Sequence, residues 1–461
     1  MSFFLELFKE VQSGPIGILG CGISGQSVFS YVSEAYPAMT FVLRDQSPAA
    51  FAFASPKEKA VISQKSGNAW LADIKEKILF RSPGIRHDLP ALEKAKESGT
   101  VITSETALFC DLCPAKIYAV TGSDGKTTTV SMTAAILRTA AKGQNAVYLG
   151  GNIGQSLLPS LAKMTEHDEA VLELSSFQLS DFTPNVHAAA LLNITENHLN
   201  WHTSMQEYAD AKKHLLDGAK HRVLFADDGA DASMAKDGDC LFSAKRSLKE
   251  LQESFGERPF VFLEDGLVRL YENAAVKVLF DTAVLRQSGE PFLLDAMAAA
   301  ALTHKRASRA DIETALFEFT GVPHRMTYLG KKDGLFIYDS GADTTPSRTA
   351  ATLSALQKCD TVLCGGSDKG LSFAPLAKAL EKKGAFAVLY GQTASKIAQA
   401  LEEEGVPFMQ VETLAEAIDY TFAHTKRDGV VLFSPACASF DAYSDYKARS
   451  RAFYEMIFKE R

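Results

Sequence analysis

The chain has 461 residues, of which 46% are hydrophobic and 23% are charged, and its formal net charge is −8. This length predicts about three domains. The acidic balance argues against a nucleic acid partner, and no uninterrupted apolar run is long enough to predict a membrane span. Residues 1–10 lack the basic start and cleavage site of a signal peptide, so we expect an amphipathic helix there.

Short apolar runs alternate with longer amphipathic segments, which predicts an α/β fold with parallel sheets and crossover helices. Two breaks in this pattern divide the chain into predicted domains of residues 1–114, 115–320 and 321–461. The runs expected to form strands are residues 16–19, 41–43, 117–120, 170–174, 188–192, 362–364, 387–389 and 430–433.

A first glycine-rich loop follows the apolar run of residues 16–19. Gly20, Gly22 and Gly25 have the G-x-G-x-x-G spacing, and Asp45 follows the next predicted strand. Such glycines permit a tight turn and a close approach of the backbone to a diphosphate. The pattern alone leaves three interpretations open: a nicotinamide or flavin site with Asp45 on a ribose, a site for another diphosphate such as a nucleotide sugar, or a turn without a ligand.

Two of the seven cysteines, Cys110 and Cys113, have the spacing of a redox pair or of half a zinc site. No second pair lies at a suitable distance along the sequence. We therefore expect ordinary thiols in a reducing cytoplasm.

A second loop, Gly-Ser-Asp-Gly-Lys-Thr-Thr at residues 122–128, stands between a predicted strand and a predicted helix. The usual P-loop has its first glycine where this chain has Val120. The chemical parts remain, because Gly125 allows close backbone approach, Lys126 can neutralise phosphate charge and the Thr127 hydroxyl can reach Mg²⁺. A dehydrogenase does not need this loop and a simple kinase does not need the first one. Together they favour an enzyme that activates a nucleotide-linked substrate with ATP.

With these loops the chain resembles the Mur ligases, the ATP-dependent enzymes that build the peptide of peptidoglycan, and most resembles their D-glutamate-adding branch. The resemblance spans the whole chain and is specific in combination. The sequences that carry it are Ser82-Pro-Gly84, residues 119–129, Gly150-Gly-Asn-Ile-Gly154, Glu173-Leu-Ser-Ser-Phe-Gln-Leu179, Asn193-Ile-Thr-Glu-Asn-His198, Pro323-His-Arg325, Gly365-Gly-Ser-Asp-Lys369 and Ser434-Pro-Ala-Cys-Ala-Ser-Phe-Asp441.

The resemblance implies three α/β domains: an N-terminal Rossmann-like domain that binds UDP, a central P-loop ATPase-like domain, and a C-terminal Rossmann-like domain that binds the amino acid and the nucleotide. It implies a monomeric cytoplasmic enzyme that uses ATP, Mg²⁺, UDP-N-acetylmuramoyl-L-alanine and D-glutamate, with no membrane partner. ATP would phosphorylate the free carboxylate of the nucleotide sugar. The amine of D-glutamate would then attack the acyl phosphate and release phosphate.

The resemblance also assigns residues to each ligand. For ATP these are Gly122, Ser123, Asp124, Gly125, Lys126, Thr127, Thr128, Asp295, Arg325 and Asp339. For the UDP substrate they are Gly22, Ile23, Ser24, Asp45, Gln46, Gly84, Asn152 and Ser175. For the amino acid they are Lys369, Ser439, Phe440 and Tyr446. For Mg²⁺ they are Thr127, Glu173, His198 and a carbamylated Lys212, and the expected catalytic residues are Lys126, Glu173, His198 and Lys212.

The expected modification of Lys212 has a chemical reason. A bare ammonium group would repel Mg²⁺, whereas a carbamate is an anion that can bind it. Tyr208, four residues earlier, favours Lys212 over the adjacent Lys213 as the modified residue. The alternative is that Lys212 is an exposed helix lysine.

The chain departs from the family at several positions. Asp124 replaces an asparagine, Asp295 replaces another, and Pro291 with Phe292 replaces a His-Asn pair near the adenine. Gly341 replaces a lysine that would pair with a carboxylate of the incoming glutamate, and we expect Arg348 or Lys369 to serve instead.

Three alternatives to a D-glutamate ligase remain, of which the first two follow from these departures. A ligase with another amino-acid specificity is one, and a Mur-like binding or regulatory protein with impaired catalysis is another. A folate-type glutamate ligase shares the last two domains, but it would not need the first glycine loop.

Overall fold

The computed structural model describes residues 2–11, 15–54, 61–153, 156–195, 201–286, 289–368 and 370–459. These residues form three sheets with flanking helices, which confirms the predicted α/β fold. The chain divides into two compact units, and Phe319 and Thr320 lie on either side of the division. The larger unit holds two sheets and the smaller unit holds one. Among the described helices, none has the length and apolar character that crossing a membrane requires.

The first sheet has five parallel strands in the order β3-β2-β1-β4-β5. Its strands are β1 (Pro15–Leu19), β2 (Thr40–Arg44), β3 (Val61–Lys65), β4 (Ile78–Arg81) and β5 (Val101–Thr103). Its helices are α1 (Phe3–Val11), α2 (Ile23–Ala35), α3 (Pro90–Glu97) and α4 (Glu105–Leu112), with short 3₁₀ helices at Pro48–Phe51 and Gly67–Ala69. Helix α1 buries Phe4, Leu7 and Phe8, as expected of an amphipathic opening helix.

The second sheet of the larger unit has nine strands in the order β14-β13-β12-β11-β10-β9-β6-β8-β7. Its strands are β6 (Lys116–Thr121), β7 (Val147–Gly151), β8 (Glu169–Glu173), β9 (Val186–Leu191), β10 (Ala219–Phe225), β11 (Cys240–Ser243), β12 (Phe260–Glu264), β13 (Leu267–Glu272) and β14 (Ala275–Asp281). Only the β12–β13 and β13–β14 pairs are antiparallel among the described pairs. Strand β6 lies between β8 and β9, so its carboxyl end opens where the strand order reverses, the usual ligand position in such sheets.

Helices cover both faces of this central sheet. They are α5 (Lys126–Ala141), α6 (Ser176–Leu179), α7 (Met205–Asp217), α8 (Gly229–Ser233), α9 (Leu248–Phe255), α10 (Glu290–Thr303) and α11 (Arg309–Glu318), with 3₁₀ helices at Leu158–Lys163 and Thr282–Val284. Helix α10 is buried along residues 295–303 because it packs between α5 and the strands β9 to β12. A helix that is apolar on every side is expected in such a position.

The smaller unit has one sheet in the order β15-β16-β20-β17-β18-β19. Its strands are β15 (Thr327–Lys332), β16 (Leu335–Asp339), β17 (Thr361–Gly365), β18 (Phe386–Tyr390), β19 (Phe408–Gln410) and β20 (Val430–Phe433). Its helices are α12 (Pro346–Ala355), α13 (Ala374–Lys383), α14 (Ala394–Glu403), α15 (Leu414–His424) and α16 (Tyr446–Phe458). All pairs except β15–β16 are parallel among the described strands. Every apolar run expected to form a strand overlaps one in these three sheets.

Candidate active site

The second glycine-rich loop connects β6 to α5 and turns around Lys126. Gly122 has φ of 152° and Gly125 has φ of 80°, values that favour glycine. The ammonium group of Lys126 donates to the carbonyl oxygens of Gly122 and Ser123, each at 2.8 Å. The ammonium group therefore lies within the loop at the N-terminus of α5, the part of a helix that favours a phosphate group.

Residues that follow β9 anchor this loop. The carbonyl oxygen of Asn193 accepts from the amide of Ser123 at 2.8 Å, and its side-chain Oδ1 accepts from the amide of Asp124 at 2.8 Å. The buried Ser123 hydroxyl lies 2.9 Å from the hydroxyl of Tyr208. The Asp124 side chain is exposed, so the loop is held through the backbone at this position. The sequence analysis did not assign a role to Asn193, although its place directly after a strand beside β6 is a signal for one.

Two neighbouring strands bring Thr127 and Glu173 together. The Thr127 hydroxyl donates to Oε2 of Glu173 at 2.6 Å, and Nδ2 of Asn152 donates to Oε1 of the same carboxylate at 2.8 Å. Glu173 ends β8 and is 3% exposed. The expected Mg²⁺ ligands Thr127 and Glu173 are therefore adjacent. No cluster of three His, Cys, Asp or Glu side chains that could hold a metal occurs within the described ranges, and His198, the third expected ligand, lies outside them.

Lys212 is buried against the same loop. Lys212 lies on α7 and is only 1% exposed. Its ammonium group donates to the carbonyl oxygen of Gly122 at 2.7 Å and lies 4.5 Å from the centroid of the Tyr208 ring. Lys213 is only partly buried. The alternative that Lys212 is an exposed helix lysine is therefore wrong.

Asp295 packs against the base of the loop from helix α10. It is 9% exposed, and its Oδ1 accepts from the hydroxyl of Thr129 at 3.0 Å. A Cβ atom at Gly125 would overlap this carboxylate oxygen, so glycine is required there for close packing as well as for its φ angle. Pro291 is exposed and Phe292 is partly buried, one turn earlier on α10.

The first glycine loop lies at the carboxyl ends of β1, β2 and β4, which are adjacent in the first sheet. The amide of Cys21 donates to Oδ2 of Asp45 at 2.8 Å, and the Ser82 hydroxyl donates to the carbonyl oxygen of Gly20 at 2.8 Å. A Cβ atom at Gly25 would overlap that same carbonyl oxygen, which explains the third glycine of the pattern.

The residues predicted to surround UDP lie at two strand edges of the larger unit. Gly22, Ile23 and Ser24 are at the start of α2, while Gln46 and Gly84 follow β2 and β4. Asn152 follows β7, and Ser175 follows β8. The Ser175 hydroxyl is engaged as the N-cap of α6, where it accepts from the amide of Gln178.

Contacts within the larger unit connect the first sheet with α7. The indole nitrogen of Trp201 donates to the carbonyl oxygen of Gly84 at 3.4 Å, and the guanidinium of Arg86 lies 3.3 Å from the carboxylate of Glu207. Burial acts to raise the pKa of Glu207, but hydrogen bonds from Thr203 and the charge of Arg86 outweigh it and lower the pKa to about 2. Glu207 and Lys212 share α7, so this ion pair links the segment after β4 to the helix that carries Lys212.

Asp339, an expected nucleotide contact, is hydrogen-bonded to three other residues of the smaller unit. It is 2% exposed, and its Oδ2 lies 2.6 Å from Nδ1 of His324. Its Oδ1 accepts from the amide of Gly341 at 2.8 Å and from the hydroxyl of Ser450 at 3.2 Å. His324 has φ of 64°, and its neighbour Arg325 lies two residues before β15. The carboxylate thus fixes the strained segment that carries Arg325.

The position of the missing family lysine is filled from α16. A Cβ atom at Gly341 would overlap the hydroxyl of Ser450. The preceding residue, Arg449, is fully buried and donates to the carbonyl oxygens of Cys437 and Ala438 at 2.9 Å each. It also donates to the carbonyl oxygen of Gly365 at 3.2 Å. This arginine, which the sequence analysis did not single out, joins the loops after β17 and β20.

The residues expected around the amino acid lie along those loops. Ser439 is buried, whereas Phe440 is 75% exposed and its amide donates to the Ser367 hydroxyl at 3.0 Å. Tyr446 begins α16, with its ring edge-on to His324. Lys369 lies outside the described residues.

Cys110 and Cys113, which have the spacing of a redox pair, are free thiols. Burial raises the pKa of both thiols, that of Cys113 to about 11. Neither thiol is therefore activated as a nucleophile at neutral pH.

Comparison with known proteins decides the family. The Mur ligase middle domain matches residues 120–254, and the Mur ligase, glutamate ligase domain matches residues 324–437. A protein named UDP-N-acetylmuramoylalanine–D-glutamate ligase from Acetivibrio thermocellus is 32% identical over 97% of this chain and 97% of its own length. The chain belongs to the Mur ligase family. A protein of the same name from Ruminiclostridium cellulolyticum is 31% identical to this Mur ligase over 98% of both chains.

Solved structures show the same fold. The crystal structure of UDP-N-acetylmuramate-alanine ligase MurC from Thermotoga maritima superposes with a TM-score of 0.59 and 20% identity. The match covers 97% of this Mur ligase and 99% of that chain.

Proposed function

We propose that this Mur ligase uses ATP to join D-glutamate to UDP-N-acetylmuramoyl-L-alanine, in the cytoplasmic synthesis of peptidoglycan precursors. The observation that carries the proposal is the identity of 31–32% over 97–98% of the chain to proteins named for this reaction. The match includes the first glycine loop, which a folate-type ligase would not need. It also includes the loop that holds Lys126.

The residues at the second loop fit a magnesium nucleotide. The Thr127 hydroxyl and the Glu173 carboxylate are hard oxygen ligands of the kind that Mg²⁺ prefers, and they are 2.6 Å apart. When bound, Mg²⁺ supplies charge that neutralises the phosphates and the transferring phosphoryl group. Lys126 adds a point charge at the loop, where it lies against the carbonyl oxygens of Gly122 and Ser123. ATP and Mg²⁺ are thus the proposed cofactors.

Lys212 has two chemical states with opposite effects. As an amine it donates to Gly122 and holds the loop closed; as a carbamate it would place an anion beside Thr121 and Gly122. We propose that the carbamate is the form used in catalysis. Incubation with ¹³C-bicarbonate should give a carbamate carbon resonance in native protein and in Lys213→Met, and none in Lys212→Met. A resonance that survives in Lys212→Met contradicts this assignment.

The first glycine loop provides the proposed site for the UDP moiety. The exposed backbone of Gly22 and Gly84 leaves room for a diphosphate, while Asp45 already holds the amide of Cys21 and so keeps the turn in shape. Asn152 reaches the Glu173 carboxylate, and we assign it to the substrate end of the reaction. In the smaller unit, Arg325 and Asp339 remain the proposed nucleotide residues, and Ser439, Phe440, Tyr446 and Lys369 remain those for the amino acid.

A coupled assay tests the proposal directly. Purified protein is incubated with UDP-N-acetylmuramoyl-L-alanine, D-glutamate, ATP and Mg²⁺, and phosphate and the amide product are both quantified. One phosphate should appear for each amide formed, and Lys126→Met should reduce both together. Omission of D-glutamate should stop amide formation.

The same assay separates the alternatives. Turnover with another amino acid but not with D-glutamate would show a ligase of different specificity. Binding of Mg-ATP in calorimetry without turnover on any amino acid would show a binding protein with impaired catalysis. Either result would reject the proposed reaction.

A further inference from the structure

A cleft with no role in the proposed reaction lies at the amino-terminal edge of the central sheet. Its volume is about 260 Å³. Its lining includes the side chains of His187, Lys220, His221, Arg222, His304 and Lys305. His187 is the second residue of β9, whose last residue, Leu191, pairs with Thr121 beside the phosphate loop. His187 and Leu191 are four positions apart in β9, which corresponds to roughly 13 Å along the strand. The cleft is therefore distinct from the nucleotide site.

The parallel sheet and one helix bring these groups together. Strands β9 and β10 are adjacent and parallel. The ring of His187 on β9 therefore lies 5.2 Å from the ring of His221 on β10, edge to face. The ring of Tyr118, on β6, lies 5.3 Å from His187 on its other side. His304 and Lys305 follow the last turn of α10. Residues distant in the sequence thus supply one concave surface.

The charged groups that lower the pKa of His187 are cationic. Burial is the largest cause that lowers its pKa to about 4, and the charges of His221, Lys116, Lys220 and Lys305 lower it further. Burial is also the largest cause that lowers the pKa of His221. The charges of Lys305, His304 and Lys220 lower it further, and Glu272 acts in the opposite direction. Within the described residues, Lys220 has no carboxylate within ion-pair distance. Cations that repel one another across an open cleft favour an anionic ligand.

The carboxylates that line the cleft form ion pairs with arginine and lysine side chains other than Lys220. Asp239 lies 3.3 Å from the guanidinium of Arg222, and Glu272 lies 3.8 Å from the ammonium of Lys305. Asp237 is fully exposed and faces Arg258 at 3.7 Å. The acidic groups therefore balance Arg222 and Lys305, whereas the ammonium group of Lys220 keeps its positive charge at the end of the cleft formed with His187 and His221.

Two buried nitrogen atoms of the lining lack hydrogen bonds within the described structure: Nε2 of His304 and Nε of Arg222. The His304 side chain is 8% exposed, and its Nδ1 donates to the carbonyl oxygen of Ala301 at 2.7 Å. The nearest carboxylate oxygen to its Nε2, that of Glu272, is 3.5 Å away. With Nδ1 donating, Nε2 of the neutral His304 ring is an acceptor, which the hydroxyl of a protonated phosphate can satisfy. Nε of Arg222 is an N–H donor, and a buried donor normally has a partner, which an anionic oxygen in the cleft would supply.

We propose that this cleft binds a small anion of the phosphate class, held between His187, His221 and Lys220. The volume is several times that of one water molecule, so inorganic phosphate or a small phosphomonoester fits within it. The Lys220 ammonium and the two imidazole rings, which a bound anion would favour in their protonated form, would recognise the phosphoryl group from either source. The site is independent of the proposed ligase reaction, because none of these side chains lies at the phosphate loop.

Histidine NMR tests the proposal at the site itself. The Cε1–H resonances of His187 and His221 are assigned with His187→Gln and His221→Gln, and the full chain is titrated with pH in inorganic phosphate, in glycerol phosphate and in chloride at equal ionic strength. A bound anion should raise the pKa of both histidines by roughly one unit, since an opposite charge at close range favours the protonated form. The shift should saturate with ligand concentration. Phosphate bound at the distant loop leaves these resonances unchanged.

Matched lysine variants complete the test. Lys220→Gln should weaken the saturable shift at least fivefold, whereas Lys249→Gln, which removes an exposed lysine outside the cleft, should not. A shift in glycerol phosphate alone would assign the site to phosphomonoesters. Identical titrations in chloride and both phosphates, or an equal shift in native protein and Lys220→Gln, would overturn the proposal.

Discussion

The hydroxyl of Thr127 donates a hydrogen bond of 2.6 Å to Oε2 of Glu173. The two residues are 46 positions apart in the chain, but β6 and β8 are neighbours and their carboxyl ends meet at one edge of the sheet. Asn152 donates to the other carboxylate oxygen at 2.8 Å. The carboxylate is therefore held in place from both sides before any metal binds.

Replacement of Glu173 by glutamine should abolish most of the activity while leaving the fold intact. The amide oxygen can still accept from Thr127, but the negative charge is lost. Because a metal supplies several kcal/mol of charge stabilisation, we expect phosphate release to fall by roughly 100-fold or more and the Mg²⁺ requirement to rise. Thr127→Ser, which keeps the hydroxyl, is the control. Native activity of Glu173→Gln at ordinary Mg²⁺ concentration would show that the carboxylate does not hold the metal.

Asp124 and Asn193 should respond in opposite ways to substitution. Asp124 is exposed and contributes its amide to the loop contact, so Asp124→Asn should leave the KM for ATP unchanged or slightly lower it. Asn193→Ala leaves the amide of Asp124 without its acceptor, at a cost of about 1–3 kcal/mol, and should raise the KM for ATP by roughly tenfold. Initial rates at varied ATP measure both. A large loss in Asp124→Asn would mean that the acid helps to hold the metal.

Gly341 and Ser450 should be coupled. Gly341→Ala forces its Cβ into the Ser450 hydroxyl, and overpacking of this kind costs roughly 1–3 kcal/mol. Ser450→Gly removes the obstacle, so the double variant should recover most of the lost free energy of unfolding in a double-mutant cycle by urea titration. Additive effects of the two substitutions would show that the loop relaxes around the new side chain. The cycle also tells whether the lysine of the family could be reinstated at this position.

His187 should make stability depend on pH between about 4 and 6.5. Its pKa is lowered from 6.5 to about 4 in the folded protein, so the unfolded chain binds more protons in this window. Stability must then fall as pH decreases from 6.5 to 4. His187→Gln, which does not titrate, should flatten this part of the profile in urea unfolding measured at several pH values. Parallel profiles of the two proteins would contradict the shifted pKa.

Local patterns in the sequence were sufficient to predict the elements that carry the proposed chemistry. Apolar runs bounded by glycine loops predicted the strands, because a buried parallel strand needs an uninterrupted apolar side-chain set. The Gly-Lys-Thr order at residues 125–127 predicted the phosphate loop, since these groups are adjacent in the chain. Four-residue spacing on a helix also placed Tyr208 beside Lys212, as the structure confirms.

Contacts between distant segments were decided by the tertiary structure. The anchoring of the loop by Asn193, the exclusion of a side chain at Gly341 by Ser450 and the burial of Arg449 each join residues from different elements. No spacing rule predicts them, because they depend on which strands pair and how a helix packs across them. The sequence by itself therefore determined the family, the strands and the phosphate loop, because each of these is specified by residues that are close together in the chain. The surroundings of Gly341 and the cationic cleft at the far edge of the central sheet were decided by packing, because side chains far apart in the chain meet there only after the sheets have formed.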